Sequence, residues 1–291
     1  FNGLAEAVQR YASQPTSGFC IGAAALGSSG AVFLGTNTEM QGLPLNATIH
    51  AEQFAMVIAL QAGEGIISFA ATAAPCGHCR QFLNELREGG DVRVLSLMVD
   101  KFDKTKFDSL LSDLLLHSFG PLDLDQAVEV PLLLEPRNNF IRLHSLELVT
   151  VYSGHRKNTD RSWKMTASAV NRPLDKALEE ANAAYAPYSG SPAGLALCTS
   201  AAKIFTGRSI ESAAYNPSMS PLHTALAAHV QSCAGLQCDL WSNISGVVMV
   251  EIHQAQVQYA GTVETMLYSL APDAELIIVY GTTAGCVDGA F

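Results

Sequence analysis

Long apolar runs are missing from this chain of 291 residues. A helix that crosses a bilayer needs about 20 consecutive apolar residues, and the stretch around Leu132–Leu134 is cut short by Pro131 and Pro136. The start of the chain carries no signal-peptide pattern. The sequence therefore predicts a protein without a membrane segment. Because the chain begins at Phe1 rather than Met, there is room for a targeting leader or a further segment ahead of it.

Basic residues are scarce as well. The chain has 17 Lys and Arg against 27 Asp and Glu, which gives a formal net charge of −10. Proteins that bind polynucleotides draw most of their affinity from a basic surface that neutralises phosphates. The charge balance therefore argues against a nucleic-acid partner and favours a small, uncharged substrate. The hydrophobic share of 48% is typical of a well-packed globular protein, of one large domain or two modest ones.

A disulfide framework is the third feature that the sequence lacks. Seven cysteines is an odd number, and two of them form a C-x-x-C pair. The others are scattered, at Cys20, Cys198, Cys233, Cys238 and Cys286. This spacing does not fit a small secreted scaffold. A reducing setting fits better, and thiolates that bind a metal also favour it, so we expect a cytoplasmic protein.

Two short fragments carry the chemistry that the sequence does have. The first is His50-Ala51-Glu52, and the second is Pro75-Cys76-Gly77-His78-Cys79. The order H-A-E, then P-C-x-x-C, is the signature of zinc-dependent deaminases. His50, Cys76 and Cys79 would bind one zinc ion and leave its fourth position open for water. Glu52 would stay off the metal and carry a proton from that water to the substrate.

The spacing of the two cysteines supports this interpretation. Three residues apart at a predicted helix start, their sulfurs share one face of the first turn, where unpaired backbone N–H groups favour thiolates. One alternative is a zinc-ribbon-like site, which usually has a second C-x-x-C that this chain does not contain. Buried thiols without a metal are the other. We expect His78, between the ligands, to face solvent or support them rather than bind the metal.

Hydrophobic periodicity predicts the order β-β-α-β-α-β in the first hundred residues, after a short helix over residues 2–13. The predicted strands are 19–26, 31–35, 66–72 and 92–99, and the predicted helices are 50–61 and 75–90. This order is typical of a sheet with helices packed on it, which is the α/β class.

The second half of the chain echoes the first. Tyr185-Ala186-Pro187 repeats Tyr11-Ala12-Ser13, and Phe205-Thr206-Gly207 repeats Phe33-Leu34-Gly35. The same register places Leu222 opposite His50 and Thr224 opposite Glu52, and no second P-C-x-x-C follows. We interpret the second half as a copy that has lost its metal ligands, with chance similarity as the alternative.

This interpretation divides the chain into three parts. Residues 1–100 form a catalytic, zinc-binding deaminase domain. Residues 101–163, rich in Pro, Asp and Asn clusters, form a linker region. Residues 164–291 form a degenerate deaminase-like domain without a zinc site.

With these motifs the chain resembles the cytidine deaminases of the homodimeric, two-copy type found in bacteria and plants. The matching segments are residues 50–53, 75–82, 119–121 and 213–217, together with Gly35, Asn37 and Glu39. The chain departs from the family at Cys20, and it nearly lacks the N-terminal helical region of the bacterial members. The resemblance implies a three-layer α/β/α sandwich, duplicated in one chain. It also implies one zinc ion per chain and a homodimer, with the 213–217 segment as the candidate to complete the partner's site.

The resemblance also implies substrate contacts. Asn37 and Glu39 would hydrogen-bond the ribose at its 3′-hydroxyl, and such groups reject ligands that lack the hydroxyl. A turn residue after a strand is the alternative for Asn37. The backbone at Ala51 and around Ala74 would hydrogen-bond the base.

Two aromatic residues, Phe19 and Phe119, are candidates to pack against the pyrimidine ring, and ordinary core packing is the alternative for each. The expected reaction is hydrolytic deamination of cytidine, and of deoxycytidine, within pyrimidine salvage. Three alternatives compete with it: a polynucleotide cytosine deaminase, a nucleotide deaminase and an inactive zinc-binding scaffold.

Overall fold

A computed structural model describes residues 2–96, 107–124, 132–143, 149–153, 156–157, 167–233 and 240–283. It divides into two compact units. The first comprises Phe1–Glu135 together with Glu211–Ser218, and the second comprises Pro136–Ile210 and Met219–Phe291. Each unit contains one central sheet with helices packed on it, so the predicted α/β class is confirmed.

The first unit is built on a five-stranded sheet. Its strands are β1 (Gly22–Gly27), β2 (Val32–Thr36), β3 (Ile66–Ala71), β4 (Arg93–Ser96) and β5 (Phe107–Leu110). Its helices are α1 (Asn2–Val8), α2 (Ala51–Gln61), α3 (Gly77–Leu83) and α4 (Leu111–Leu114). The strand order is β2-β1-β3-β4-β5, with β3 and β4 parallel and the other neighbours antiparallel. The predicted hairpin is thus confirmed as β1 and β2.

Two glycines show that helices cover both faces of this sheet. A Cβ atom on Gly22 would lie 2.1 Å from the carbonyl oxygen of Ala5 in α1. A Cβ atom on Gly35 would lie 2.2 Å from the carbonyl oxygen of Ala51 in α2. Gly35 pairs with Ala23, the neighbour of Gly22, and successive residues of a strand point to opposite faces. Helices α1 and α2 therefore lie on opposite faces, which confirms the three layers.

The helix predicted over residues 75–90 is shorter in the structure. Helix α3 ends at Leu83, and a short 3₁₀ helix follows at Gly89–Asp91. A Cβ atom on Gly89 would lie 2.7 Å from the carbonyl oxygen of Leu83, so the chain folds back tightly on the end of the helix. This close return explains why the second half of the predicted helix does not form.

The second unit has a larger sheet of the same type. Its strands are β6 (Ile141–Arg142), β7 (Val149–Ser153), β8 (Arg156–Lys157), β9 (Ala193–Thr199), β10 (Ile204–Arg208), β11 (Ile244–Ile252) and β12 (Glu275–Thr283). Its helices are α5 (Ala167–Asn182), α6 (Pro221–Cys233) and α7 (Ala260–Leu270). The order is β10-β9-β11-β12-β7-β8, with β6 also paired to β12. Strands β11 and β12 are parallel and buried, as expected for continuous apolar runs.

Some of this regular structure lies within 101–163, the range predicted as a linker. Strand β5 completes the sheet of the first unit, and β7 joins the sheet of the second. The boundaries of the three predicted domains stay a prediction. Among the residues that the structure describes, no helix combines the length and apolarity needed to cross a membrane.

The second unit repeats the first, but the register drawn from the sequence is wrong by two residues near the metal motif. Gly207 contacts the carbonyl of Pro221 as Gly35 contacts that of Ala51. Pro221 is the first residue of α6 and Ala51 the first of α2, so Ser220 takes the position of His50 and Leu222 that of Glu52.

A shorter loop explains this shift in register. A β-bridge joins Thr38 to Ile49 in the first unit, and the corresponding bridge joins Ile210 to Met219 in the second. The loop enclosed by the second bridge is therefore two residues shorter than its counterpart.

Candidate zinc centre and substrate pocket

The three predicted ligands meet at the beginnings of two neighbouring helices. His50 directly precedes α2, Cys76 directly precedes α3, and Cys79 lies in the first turn of α3. The Nδ1 atom of His50 lies 3.5 Å from the Sγ of Cys76 and 3.3 Å from the Sγ of Cys79. The two sulfurs are 3.6 Å apart. The structure thus brings the three predicted ligands together.

The spacing of these donor atoms fits zinc. Tetrahedral bonds of about 2.3 Å to sulfur and about 2.0–2.1 Å to nitrogen would place the donors roughly 3.5–3.8 Å from one another. The distances of 3.3–3.6 Å in the structure are close to this range. Two thiolates and an imidazole suit zinc, and three protein ligands leave one position for water. In the described part of the chain, the cluster of possible ligands contains His50, Cys76 and Cys79 but not His78.

Hydrogen bonds within the cluster shift the pKa values of the two thiols in opposite directions. A hydrogen bond joins the sulfurs of Cys76 and Cys79, and it lowers the pKa of Cys76 to about 3. The same hydrogen bond raises the pKa of Cys79 well above its usual value. The hydrogen bond between His50 and Cys76 raises the pKa of the His50 ring. The two predicted thiol ligands therefore differ in acidity.

Glu52 lies in the first turn of α2, beside His50, with only 5% of its surface exposed. Burial raises the pKa of its carboxyl group. It lines the same pocket as His50 and Cys76 but is not a member of the ligand cluster. A buried carboxyl group at this point can exchange a proton between a water molecule at the metal and a molecule in the pocket.

The pocket beside these residues has a volume of about 330 Å³, which is in the range of small-molecule sites. Besides His50, Cys76 and Glu52, five of the predicted site residues line it: Phe19, Asn37, Glu39, Ala51 and Ala74. Cys79 is not among the lining residues. The pocket thus brings the predicted polar pair, Asn37 and Glu39, together with the metal cluster.

Asn37 and Glu39 follow strand β2, and both hold the loop that leads into β1. The Oδ1 of Asn37 accepts the N–H of Ile21 at 2.7 Å, and its Nδ2 donates to the carbonyl of Phe19 at 2.9 Å. Asn37 therefore supports a turn, which is the alternative role that the sequence suggests for it. One N–H of its amide group and one lone pair of its oxygen stay available for a ligand.

The carboxylate of Glu39 is fixed by the turn at Thr16 and Ser17. Its Oε2 accepts the backbone N–H groups of Thr16 at 2.8 Å and Ser17 at 3.0 Å, and its Oε1 accepts the hydroxyl of Ser17. Burial alone raises the pKa of Glu39, but the hydrogen bonds from Ser17 and Thr16 outweigh it and lower the pKa. Glu39 is therefore an ionised, rigidly held acceptor at the pocket.

The two candidate aromatic residues differ in their positions. Phe19 lines the pocket with 53% of its surface exposed. Phe119 is not among the pocket-lining residues of the described chain, and it is 46% exposed. Its carbonyl oxygen accepts hydrogen bonds from Gln81 in α3 and from Asn84. Because both rings are exposed, the core-packing alternative is wrong for each.

Sequence reasoning missed four residues that line the pocket: Ser17, Ile21, Thr48 and Ala73. Ser17 had a signal in the sequence, because it lies in Pro15-Thr16-Ser17-Gly18, a stretch of turn-forming residues. Gly18 has a positive φ of 63°, which glycine adopts without strain. Ala73 directly precedes Ala74, and Ile21 and Thr48 are each two residues from a predicted site residue, but nothing in their side chains distinguishes them.

Among the described residues of the second unit, the corresponding position carries no metal-binding set. Ser220 accepts or donates a hydrogen bond with the Nδ1 of His223 at 2.7 Å, and Leu222 is fully buried. His223 therefore holds the start of α6. The predicted loss of the zinc site from the second copy agrees with these residues.

Two family models match the chain, both described as the zinc-binding region of cytidine and deoxycytidylate deaminases. One matches residues 1–95 and the other residues 111–264. Cytidine deaminase 1 of Arabidopsis thaliana is 37% identical over 286 residues, which are 95% of this chain and 89% of that protein. Cytidine deaminase of Yersinia pestis (strain Pestoides F) is 35% identical over 261 residues, or 89% of this chain and 76% of that protein.

Solved structures of shorter cytidine deaminases resemble part of the chain. The enzyme from Burkholderia pseudomallei is 30% identical with a TM-score of 0.36, and the match covers 40% of this chain and 95% of that one. The enzyme from Mycobacterium tuberculosis is 31% identical with a TM-score of 0.33, and the match covers 41% and 94%.

Proposed function

The chain belongs to the cytidine and deoxycytidylate deaminase family and is a zinc-dependent hydrolytic deaminase, and we propose that its substrates are the free nucleosides cytidine and deoxycytidine. The products would be uridine or deoxyuridine and ammonia. The observation that carries this proposal is one pocket that is lined by Glu52, Asn37 and Glu39. The His50-Cys76-Cys79 cluster lies at the same pocket, which His50 and Cys76 line.

His50, Cys76 and Cys79 would hold the zinc ion. When bound, zinc supplies a water molecule whose pKa is lowered toward about 7. Glu52 would take a proton from a water molecule in the pocket and give it to N3 of the pyrimidine, as the oxygen of that water forms a bond to C4. Glu52 then moves the second proton from that oxygen to the 4-amino group. The bond between C4 and the amino nitrogen breaks, and the carbonyl group of uridine and ammonia result.

Asn37 and Glu39 would orient the nucleoside through its ribose. Glu39 is ionised and accepts only hydrogen bonds, so it suits a sugar hydroxyl and repels a phosphate. A substrate without the hydroxyl would lose its hydrogen bond to this carboxylate, which lowers its affinity. Free cytosine is therefore expected to be a poor substrate. The backbone at Ala51 and Ala74 would contact the base, with the exposed ring of Phe19 packed on it.

We also propose that two chains form a homodimer. The support is a set of large, exposed apolar side chains in the first unit: Phe19, Leu45, Phe119, Leu122 and Tyr215. Exposed apolar surface of this kind is typical of protein contact sites. Phe119 and Tyr215 would then reach the partner's site. Sedimentation analysis tests the proposal, and a fully active monomer would contradict it.

A cytoplasmic role in pyrimidine salvage completes the proposal. Two observations support it: the five cysteines in the described part of the chain are free, and cytidine deamination recovers uridine from a free nucleoside. Cys238 and Cys286 lie outside the described residues. Fractionation of cells that produce the full-length protein would test the compartment.

One absorbance assay tests the activity. Purified protein should convert cytidine to uridine, and a zinc chelator should abolish the reaction. Deoxycytidine, deoxycytidine monophosphate and single-stranded DNA serve as competing substrates in the same assay. Turnover of the single-stranded DNA or the monophosphate in preference to the nucleosides would contradict the proposal.

A further inference from the structure

A short segment far along the chain belongs to the first unit. This segment, Glu211–Ser218, follows β10 in sequence but packs with residues 1–135. It forms a compact turn of its own: the N–H of Ser212 donates to the Oγ of Ser218 at 2.9 Å, and the N–H of Tyr215 donates to the carbonyl of Ser212 at 2.8 Å. The segment is therefore shaped by its own hydrogen bonds.

One end of the segment is bound to α2. The Nε2 of Gln53 donates to the carbonyl oxygen of Pro217 at 3.0 Å, and Gln53 is only 2% exposed. The ring of His78 donates to the same carbonyl oxygen. Gln53 directly follows Glu52, so this contact lies one residue from the proposed proton carrier.

The other end of the segment is bound just past α3. The Oε1 of Glu85 accepts the backbone N–H of Ala213 at 2.7 Å, and Glu85 is fully buried. Helix α3 ends at Leu83, so Glu85 lies two residues beyond the helix that carries Cys79. A buried carboxylate keeps its place only when donors satisfy it.

We propose that Gln53 and Glu85 are positioning residues, which use the Glu211–Ser218 segment as a tie between two helices. One helix, α2, presents His50 and Glu52, and the other, α3, presents Cys76 and Cys79. Neither residue lines the pocket, so neither acts by touching the substrate. They act by keeping α2 and α3 at the separation that the metal ligands need. The effect on turnover rests on the proposed function, whereas the effect on zinc retention does not.

The segment reaches both helices through backbone atoms, since the groups it offers are the N–H of Ala213 and the carbonyl of Pro217. Truncating Glu85 leaves the N–H of Ala213 without this acceptor, and truncating Gln53 leaves the carbonyl of Pro217 to the ring of His78 alone, so either change weakens one end of the tie. Residues that support metal ligands from outside typically change metal affinity by about 10- to 100-fold when they are replaced.

Zinc release to a chromogenic chelator measures the tie directly. We expect Gln53→Ala and Glu85→Ala each to release zinc about tenfold faster than the unaltered protein, as is typical for groups that support metal ligands. Because both act through one segment, the double variant should release zinc little faster than the faster single variant. Glu64→Ala is the matched control, since Glu64 accepts a backbone N–H of Ser29 away from the segment and should not change the rate.

Two further variants separate positioning from stability. Glu85→Gln keeps an oxygen that can accept the N–H of Ala213, so it should restore most of the zinc retention that Glu85→Ala loses. Ser218→Ala loosens the turn from within and should speed zinc release without altering either helix. For cytidine, the altered proteins should show a lower kcat at an almost unchanged KM.

The proposal is overturned if the variants unfold at lower temperature but release zinc at the unaltered rate, or if the two single effects multiply in the double variant. Faster zinc release without any cytidine turnover by the unaltered protein would support the tie and contradict the proposed substrate. Unchanged release with normal turnover would contradict the tie and leave the substrate proposal standing.

Discussion

Ser220 occupies in the second unit the position that His50 occupies in the first. Each residue directly precedes a helix whose first residue packs against a glycine of the neighbouring strand, Gly207 or Gly35. Ser220 cannot supply an imidazole, and its hydroxyl is engaged with His223. The two helix starts are therefore alike in backbone and different in chemistry.

Zinc content follows from this difference. We expect one zinc ion per chain, and we expect Ser220→His to leave that number unchanged, because a single imidazole without paired thiolates does not hold zinc. His50→Ser should lower the content well below one. Elemental analysis of the dialysed proteins measures both, and a second zinc ion in Ser220→His would show that the second unit keeps other ligands.

Removing the charge of Glu52 should separate zinc binding from catalysis. Glu52→Gln keeps the size of the side chain and leaves the three ligands in place, so zinc content should stay at one. Without a proton carrier, kcat for cytidine should fall by roughly 10²- to 10⁴-fold. Steady-state kinetics of zinc-loaded protein measure the effect, and an undiminished kcat would exclude Glu52 from proton transfer.

Gly35 and Gly207 offer a matched pair of variants. A methyl group on either would meet a helix carbonyl oxygen, of Ala51 at 2.2 Å or of Pro221 at 2.3 Å. Overpacking of this kind costs about 1–3 kcal/mol, so Gly35→Ala and Gly207→Ala should both lower the free energy of unfolding. Only Gly35→Ala displaces the helix of His50, so only this variant should speed zinc release. Chemical unfolding and chelator assays distinguish the two.

Recognition of the ribose should depend on Glu39. The unaltered enzyme should prefer cytidine strongly to 3′-deoxycytidine, because the second ligand cannot donate a hydrogen bond to Glu39. Glu39→Ala should lower kcat/KM for cytidine and reduce the preference to near unity. The ratio of kcat/KM values for the two nucleosides is the measurement. A preference that survives the substitution would assign ribose recognition to another residue.

The stability of the first unit should depend on pH through Glu39. Hydrogen bonds from Ser17 and Thr16 outweigh burial and lower the folded-state pKa below the ordinary value of 4.5. The carboxylate therefore stabilises the fold above about pH 4.5, and this contribution is lost as the pH falls through the lowered pKa.

Urea unfolding of the zinc-free proteins measures this dependence. The difference in free energy of unfolding between the unaltered protein and Glu39→Gln should be largest near neutral pH and should shrink below pH 4.5. A difference that grows as the pH falls would contradict the lowered pKa.

The sequence predicts the local features of this protein well. His50, Cys76 and Cys79 are recognisable because a short motif at helix starts brings its members together whatever the rest of the chain does. The hairpin of β1 and β2 follows from two apolar runs around a glycine-rich turn. Such features depend on residues close together in sequence.

Features that depend on contacts between residues distant in sequence could not be predicted from the sequence. The register between the two copies failed by two residues, because a shortened loop leaves no mark in the few residues that the copies share. The length of α3 failed, because the close return at Gly89 is a tertiary contact. Glu85 resembled any helix-end carboxylate, since its partner Ala213 stands 128 positions later.

The Glu211–Ser218 segment changes how substitutions in this protein should be classified. It lies in the copy that holds no metal, and its nearest zinc ligand in sequence is Cys79. A variant in this segment should nevertheless impair the zinc site of the first unit. Its distance in sequence from the zinc motif would not predict this effect. Harmful natural variants should therefore also occur at these eight positions, which belong to the first unit although they lie in the second half of the chain.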